Sequence, residues 1–149
     1  MKPCLQRIAT LLVVVVCCVT MAYTQGTTIT LLHVNDSHTH LDAGGPKDAN
    51  LEGTLGGIAK AATVIGTVRA TEPNVLLLHA GDIFQGDPMF NTYFGVPELQ
   101  LMGQLGFDAM TIGNHEFGYG QDVLNMVLAT AFAGGQSVQL LSANLDMTG

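Results

Sequence analysis

Short apolar runs alternate with stretches of helical periodicity over most of the chain. Four runs rich in β-branched and apolar residues predict strands, at 27–34, 75–79, 107–111 and 138–143. Between them, apolar residues recur every three or four positions and predict helices over 55–69, 98–105 and about 122–132. The remaining segments, 36–54 and 80–92, are polar and rich in glycine and predict loops. The order βαβαβαβ, with near-continuous apolar strands, predicts a layered α/β fold.

The first two dozen residues have a different character. Lys2 and Arg7 precede residues 8–22, which contain no charged residue, and a short polar segment follows. This order is typical of a secretory signal peptide, and the apolar run is short for a membrane span, which needs about 20 residues. We therefore expect residues 1–24 to be a signal peptide, the protein to be secreted or periplasmic, and no stable membrane insertion after cleavage. A retained anchor is the alternative.

The distribution of cysteines and charges narrows the class of protein. All 3 cysteines lie within the leader, so no thiol follows it, which suits an oxidising compartment. The region after the leader holds all 12 acidic residues against Lys47, Lys60 and Arg69. Such a balance argues against a nucleic acid polymer as partner, because nucleic-acid binding relies on basic patches. It is compatible with a site in which a metal ion supplies the positive charge.

Residues with metal-ligand chemistry follow three of the predicted strands. Asp36 and His38 follow the first strand, Asp82 follows the second, and Asn114 and His115 follow the third. Open α/β sheets place their sites at the carboxyl ends of strands, and carboxylate and imidazole groups suit Zn, Mn or Fe. Each motif alone has an ordinary reading as a turn or a capping residue. The ordered combination predicts a metal site.

Other polar residues near these motifs are assigned structural roles. His40 and His79 are interpreted as packing residues or as hydrogen-bond partners of the ligands, and Asp87 as a loop cap. Asp122 is interpreted as a helix N-cap. Glu116 is interpreted as a partner of the ligands or a charge at a helix start, rather than as a ligand.

The combined motifs resemble those of the calcineurin-like metallophosphoesterases, and within them the 5′-nucleotidase, UDP-sugar hydrolase and 2′,3′-cyclic-nucleotide phosphodiesterase group. The resemblance covers residues 28–145. It rests on the stretches LLHVNDSHTHL (31–41), GGIAKAATVI (56–65), LLLHAGDIFQGDP (76–88), PELQLMGQLGFDAMTIGNHEFGYG (97–120) and LLSANL (140–145). It implies a layered metallophosphoesterase-type α/β sandwich. Residues 25–149 would supply an incomplete, N-terminal βαβαβαβ portion of it, without the C-terminal nucleotide-binding domain.

The same resemblance implies a metal-dependent hydrolase of nucleotide phosphoesters with two divalent metal ions, for which Zn, Mn, Mg and Ca are candidates. Asp36 and His38 would hold one ion, Asp82 would bridge both, and Asn114 would bind the second. His115 would be the catalytic residue. It would lie with Asn114 at the substrate phosphate, where it would stabilise the transition state or protonate the leaving oxygen.

Two departures from the family pattern leave alternatives open. Many relatives have an aspartate three residues after the catalytic histidine, where it fixes the orientation of the ring; this chain has Gly118 there. The family also completes its site with downstream histidines, and no histidine follows His115. We therefore expect this 149-residue chain to be a fragment with weak activity or none. The alternatives are a catalytically inactive extracellular binding protein, or a hydrolase of cyclic nucleotides or UDP-sugars.

Overall fold

The computed structural model describes residue 6, residues 26–50 and residues 53–144. The strands are β1 Thr30–Val34, β2 Gly44–Lys47, β3 Gly53–Leu55, β4 Val75–His79, β5 Ala109–Thr111 and β6 Gln139–Leu141. The helices are α1 Ile58–Thr71, α2 Phe90–Tyr93, α3 Val96–Leu105 and α4 Gln121–Ala131, and His115–Phe117 forms a 3-10 turn. Apart from residue 6, the predicted signal peptide lies outside the described residues. None of the described helices has the length and apolar character needed to span a membrane.

Four strands form one parallel sheet in the order β1-β4-β5-β6. Its register pairs Leu32 with Leu77, and His79 with Met110. A helix lies in each connection between neighbouring strands, as parallel pairing requires a crossover. The strands therefore end at one edge of the sheet, and the loops that leave β1, β4 and β5 meet there. The predicted α/β class is confirmed.

The helices cover one face of this sheet. Leu77 and Met110 belong to a buried cluster with Leu99 of α3 and Val127 of α4, and each of these four side chains is 2% exposed or less. Burying a side chain of this kind stabilises the fold by about 1.5–3 kcal/mol. On the opposite face Leu31 of β1 is exposed, because side chains alternate between the two faces of a strand. The core thus lies between the sheet and the helices, behind the edge at which the strands end.

Three local predictions were wrong. Part of the predicted loop 36–54 forms an antiparallel hairpin of β2 and β3. The sequence of β2 is GGPK, and all four residues are exposed, so no alternation of apolar and polar residues indicates a strand. Leu55 pairs with Gly44 in this hairpin, so α1 begins at Ile58 rather than at 55. Asp122 is not the N-cap of α4; the cap is Gly120, and Asp122 lies in the first turn, where a negative charge interacts favourably with the helix dipole.

A carboxyl group is buried within α3 without a partner. Glu98 is 3% exposed, and among the described residues neither oxygen of its carboxyl group has a hydrogen-bond partner. The group lines a cavity of about 370 Å³ together with Met102 and His79. Burial raises the pKa of Glu98 from 4.5 to about 7, and the negative charge of Asp87 adds to this. Ionised Glu98 therefore destabilises the folded state.

We predict that Glu98→Gln stabilises the protein at alkaline pH and has little effect at pH 4. Below pH 4.5 the carboxyl group is protonated in both folded and unfolded chains. As the pH rises toward 7, the unfolded chain loses this proton first, so the free energy of unfolding falls by up to about 3 kcal/mol. Urea unfolding of wild type, of Glu98→Gln and of the exposed control Glu72→Gln at pH 4 and pH 8.5 measures this. A difference between wild type and Glu98→Gln that does not change with pH would contradict it.

Candidate metal centre

The loops after β1 and β4 stay paired beyond the ends of their strands. The backbone N–H of Asp36 donates to the carbonyl of Gly81 at 3.2 Å, and that of His38 donates to the carbonyl of Asp82 at 3.2 Å. Thr39 continues the pattern with a bond to the carbonyl of Ile83. The two predicted motifs, Asp36-x-His38 and Gly81-Asp82, therefore run side by side at the edge of the sheet.

Five residues other than glycine in the loops after β1 and β4 have left-handed backbone conformations, and three of them are predicted metal ligands. The φ angles are 50° for Asp36, 46° for His38 and 55° for Asp82. Non-glycine residues rarely adopt positive φ, and each such conformation costs on the order of 1–3 kcal/mol. Strain of this kind concentrates at functional sites.

His38 presents one defined ring nitrogen to the site. Its Nδ1 donates to the carbonyl oxygen of Phe84 at 3.1 Å. Because a carbonyl oxygen only accepts hydrogen bonds, Nδ1 carries the proton and Nε2 keeps its lone pair. The carboxylate of Asp36 lies beside this nitrogen, with Oδ1 3.8 Å from Nε2 of His38. An imidazole held in this way has the tautomer and orientation of a metal ligand.

The loop after β5 brings His115 to the same place. Its backbone N–H donates to Oδ1 of Asp82 at 3.0 Å, and its ring lies edge-on to that of His38, with centroids 4.7 Å apart. One ligand atom each from His38, Asp82 and His115 lies within 4.8 Å of the others. Gly113 makes this approach possible, because a Cβ at position 113 would lie 2.2 Å from Oδ1 of Asp82.

The five predicted site residues are not equally close together. His38, Asp82 and His115 form one group, and Asp36 lies beside His38, with 55% of its side chain exposed. Asn114 is exposed at the start of the 3-10 turn, and its backbone carbonyl accepts from the N–H of Phe117 at 3.2 Å. All five residues belong to the loops at this edge. Their individual roles remain predictions.

The two other histidines near the motifs have structural positions. His79 is 3% exposed; its Nδ1 accepts from the N–H of Gly81, and its Nε2 donates to the hydroxyl of Ser37, each at 3.1 Å. Burial lowers the pKa of His79, against the raising effect of nearby carboxylates, so the ring is neutral. His40 is exposed, with Nδ1 2.9 Å from the carbonyl of His38. His79 is thus buried and hydrogen-bonded to the loops after β1 and β4, which agrees with its interpretation as a packing residue or a hydrogen-bond partner.

Glu116 holds the loops after β4 and β5 together. Its carboxylate accepts hydrogen bonds from four backbone N–H groups while the residue is only 2% exposed. The donors and distances are Asp82 3.0 Å, Ile83 2.8 Å, Phe84 3.3 Å and Gly113 2.6 Å. Hydrogen bonds to a charged group contribute about 1.5–3 kcal/mol each. Glu116 is therefore a hydrogen-bond partner of Asp82, as the sequence analysis allowed, and it organises the site more extensively than the motif indicated.

Gln85 is a residue that the sequence analysis missed. Its side-chain Oε1 lies 2.9 Å from Nδ1 of His115. In the sequence it is one polar residue in a polar loop, and no spacing or periodicity distinguishes it from its neighbours. Asp87 behaves as predicted, since its carboxylate caps the loop by accepting from the N–H of Met89 at 3.1 Å.

The donor set at this edge fits a divalent metal ion. Imidazole and carboxylate groups are the ligands of Zn²⁺, Mn²⁺ and Fe²⁺ in proteins. Nε2 of His38 is free to bind an ion. Ligand atoms of His38, Asp82 and His115 lie close enough together to bind the same ion. Fold and donor set together describe an α/β protein with a candidate metal centre at the carboxyl edge of its parallel sheet.

Comparison with known proteins agrees with this class. The family model described as calcineurin-like phosphoesterase matches residues 29–139, so this chain belongs to the calcineurin-like phosphoesterase family, which uses divalent metals. The predicted resemblance is thereby confirmed. The chain is 39% identical over 124 residues to a 5′-nucleotidase of Bos taurus, covering 81% of this chain and 21% of that protein. It is 38% identical over 125 residues to a 5′-nucleotidase of Homo sapiens, with the same coverage.

Solved structures show the same likeness. The chain is similar to the 5′-nucleotidase precursor of Thermus thermophilus, with a TM-score of 0.69 and 37% identity over 80% of this chain and 23% of that one. It is also similar to the NAD nucleotidase of Haemophilus influenzae, with a TM-score of 0.66 and 29% identity over 78% of this chain and 20% of that one. The chain thus spans about a fifth of the length of these proteins.

We predict that Glu116→Gln destabilises the protein by about 2–4 kcal/mol and weakens metal binding about 10–100-fold. The amide has one acceptor oxygen instead of two, and its NH₂ group would face backbone N–H donors. Urea unfolding and calorimetric titration with Mn²⁺ measure the two effects, with exposed Glu72→Gln as the matched control. Equal stability and equal affinity in Glu116→Gln and the control would show that the carboxylate does not organise these loops.

Proposed function

We propose that this protein hydrolyses phosphate esters of nucleotides with the help of divalent metal ions. The observation that carries the proposal is the convergence of His38, Asp82 and His115 within 4.8 Å at the carboxyl edge of the parallel sheet. Asp36 and Asn114 stand on the same loops and are proposed as further metal ligands. Asp82, which lies between the other two loops, is proposed to bridge two ions.

The substrate class is proposed from the relatives. Those at 37–39% identity are called 5′-nucleotidases, and a structural relative at 29% identity is called a NAD nucleotidase. Since the chain matches about a fifth of each of these proteins, the likeness supports nucleotide phosphoesters as a class. Cyclic nucleotides and UDP-sugars are the alternative substrates, and an activity assay with each compound distinguishes them from nucleoside monophosphates.

The residues of this chain have distinct proposed tasks. Divalent ions bound here would supply positive charge next to a phosphate group and lower the pKa of a water molecule. Asp36, His38, Asp82 and Asn114 would hold and orient these ions. His115 has its Nδ1 engaged with Gln85, so in the doubly protonated ring the Nε2–H group would hydrogen-bond a phosphate oxygen or give its proton to the leaving oxygen.

We further propose that the protein works outside the cytoplasm. The basic residues, apolar run and polar end of residues 1–24 support a signal peptide. The restriction of cysteine to those residues supports the same compartment, because free thiols are a liability where disulfides form. Fractionation of its own cells, with the N-terminal residue of the protein determined in each fraction, tests this; a protein found in the cytoplasm with its N-terminus at residue 1 would contradict it.

We predict that phosphate release from AMP by the protein expressed from its complete gene is lost on chelation and restored by Mn²⁺. His115→Ala lowers kcat by about 100-fold or more, because general acid–base groups contribute about 10²–10⁴. Gln104→Ala, on the exposed side of α3, leaves kcat unchanged. Assays with AMP, a 2′,3′-cyclic nucleotide and a UDP-sugar identify the preferred substrate.

The same assay separates the proposal from its rival, an inactive binding homologue. Turnover that survives both chelation and His115→Ala would contradict the proposed metal-dependent mechanism. A wild-type protein that binds Mn²⁺ and nucleotide but releases no phosphate from any of the three substrates would favour the binding protein.

A further inference from the structure

Two consecutive residues in the loop after β4 hold the rings of both histidines in the metal centre. The carbonyl oxygen of Phe84 accepts from Nδ1 of His38 at 3.1 Å. The side-chain amide oxygen of Gln85 lies 2.9 Å from Nδ1 of His115. Because an amide oxygen only accepts, Nδ1 of His115 carries the proton in this contact. In both rings Nε2 is therefore the nitrogen left for a metal ion or a substrate.

Gln85 is itself firmly held. Its backbone has a positive φ of 64°, a conformation that is uncommon for a residue other than glycine. Its carbonyl oxygen accepts from the hydroxyl of Thr39 at 3.1 Å, and Thr39 and the preceding Phe84 are each 1% exposed. The amide is thus presented to His115 from a fixed backbone rather than from a free surface side chain.

The amide of Gln85 occupies space that only a glycine at position 118 leaves open. A Cβ built on Gly118 would lie 2.1 Å from Nε2 of Gln85, far inside any non-bonded contact distance. The clash is with the end of a side chain, so a larger residue at 118 would displace the Gln85 amide from His115 rather than disrupt the backbone. Gln85 in its present position and a side chain at 118 exclude each other.

We propose that Gln85 is the positioning residue of His115. Gly118 has no side chain and so leaves the space that the Gln85 amide needs. The amide oxygen fixes the tautomer and the orientation of the ring, which a carboxylate partner does in many histidine sites. Being neutral, it adds no negative charge beside the metal ions. Gly118 is then part of a working site rather than a sign of lost activity. The effect of these residues on kcat rests on the proposed function, whereas their effect on the tautomer of His115 does not.

The kinetic test compares substitutions that remove or keep the acceptor. In the complete protein with Mn²⁺ and AMP, Gln85→Leu and Gly118→Ala each lower kcat about 10–100-fold and leave KM within about threefold. Gln85→Glu keeps an acceptor oxygen, so its kcat stays near that of wild type. The double variant Gln85→Leu/Gly118→Ala is no slower than either single one, because both changes remove the same hydrogen bond. Gln104→Leu, the same substitution on an exposed helix face, has no effect.

A second measurement reports the ring directly and does not depend on turnover. ¹⁵N chemical shifts of His115, recorded where the ring is neutral, show the Nδ1–H tautomer in wild type and a shift toward Nε2–H in Gln85→Leu and in Gly118→Ala. Gly118→Ala leaves Gln85 in the chain, so the test holds even if Gln85→Leu does not fold.

Unchanged tautomer and unchanged kcat in Gly118→Ala, or additive losses in the double variant, would overturn the positioning role. Failure of the proposed function is distinguishable from this. A wild-type protein that releases no phosphate, but whose His115 tautomer still responds to both substitutions, would contradict the hydrolase and support the role of Gln85.

Discussion

The buried carboxylate of Glu116 accepts hydrogen bonds from four backbone N–H groups, and the geometry of the candidate metal centre depends on this contact. The donors belong to the loop after β4 and to Gly113 at the end of β5. Without the carboxylate, each N–H would be buried unpaired at a cost of about 1–3 kcal/mol. The loop after β1 is in turn bonded to the loop after β4 through Asp36, His38 and Thr39. One side chain therefore fixes three strand ends relative to one another.

The site combines this rigidity with local strain. Asp82 has a left-handed backbone, with φ 55°, and the carboxylate of Glu116 accepts from its N–H, so the strained turn is held by a buried bond. Gly113 allows Asp82 to approach the β5 loop, and Asp82 then accepts from the N–H of His115. Such a network keeps ligand atoms within a few ångströms of each other before any ion arrives, which lowers the ordering cost of binding.

The sequence predicted the elements of the fold and the place of the site because both follow from periodicity. Parallel strands end at one edge, so the polar residues that follow β1, β4 and β5 lie near one another, and His38, Asp82 and His115 form one group there. The contacts that tune the site carry no such signal: nothing in the spacing of Gln85 shows that its amide reaches across 30 residues to His115. The β2–β3 hairpin was not predicted for a related reason: its exposed strand, GGPK, has no alternation of apolar and polar residues. A contact of a single side chain depends on the folded conformation, so the pattern of residues along the sequence does not predict it.

Crystals of the complete protein grown with Mn²⁺, with diffraction recorded above and below the manganese absorption edge, test most directly whether these strand ends form a metal centre. The structure predicts an anomalous peak within coordination distance, about 2–2.3 Å, of Nε2 of His38 and a carboxylate oxygen of Asp82. If Asp82 bridges two ions, a second peak is expected within the same distance of Asp82 and of the side-chain oxygen of Asn114. Fully ordered loops without a peak at His38 and Asp82, or a peak bound only elsewhere, would contradict a metal centre at this edge.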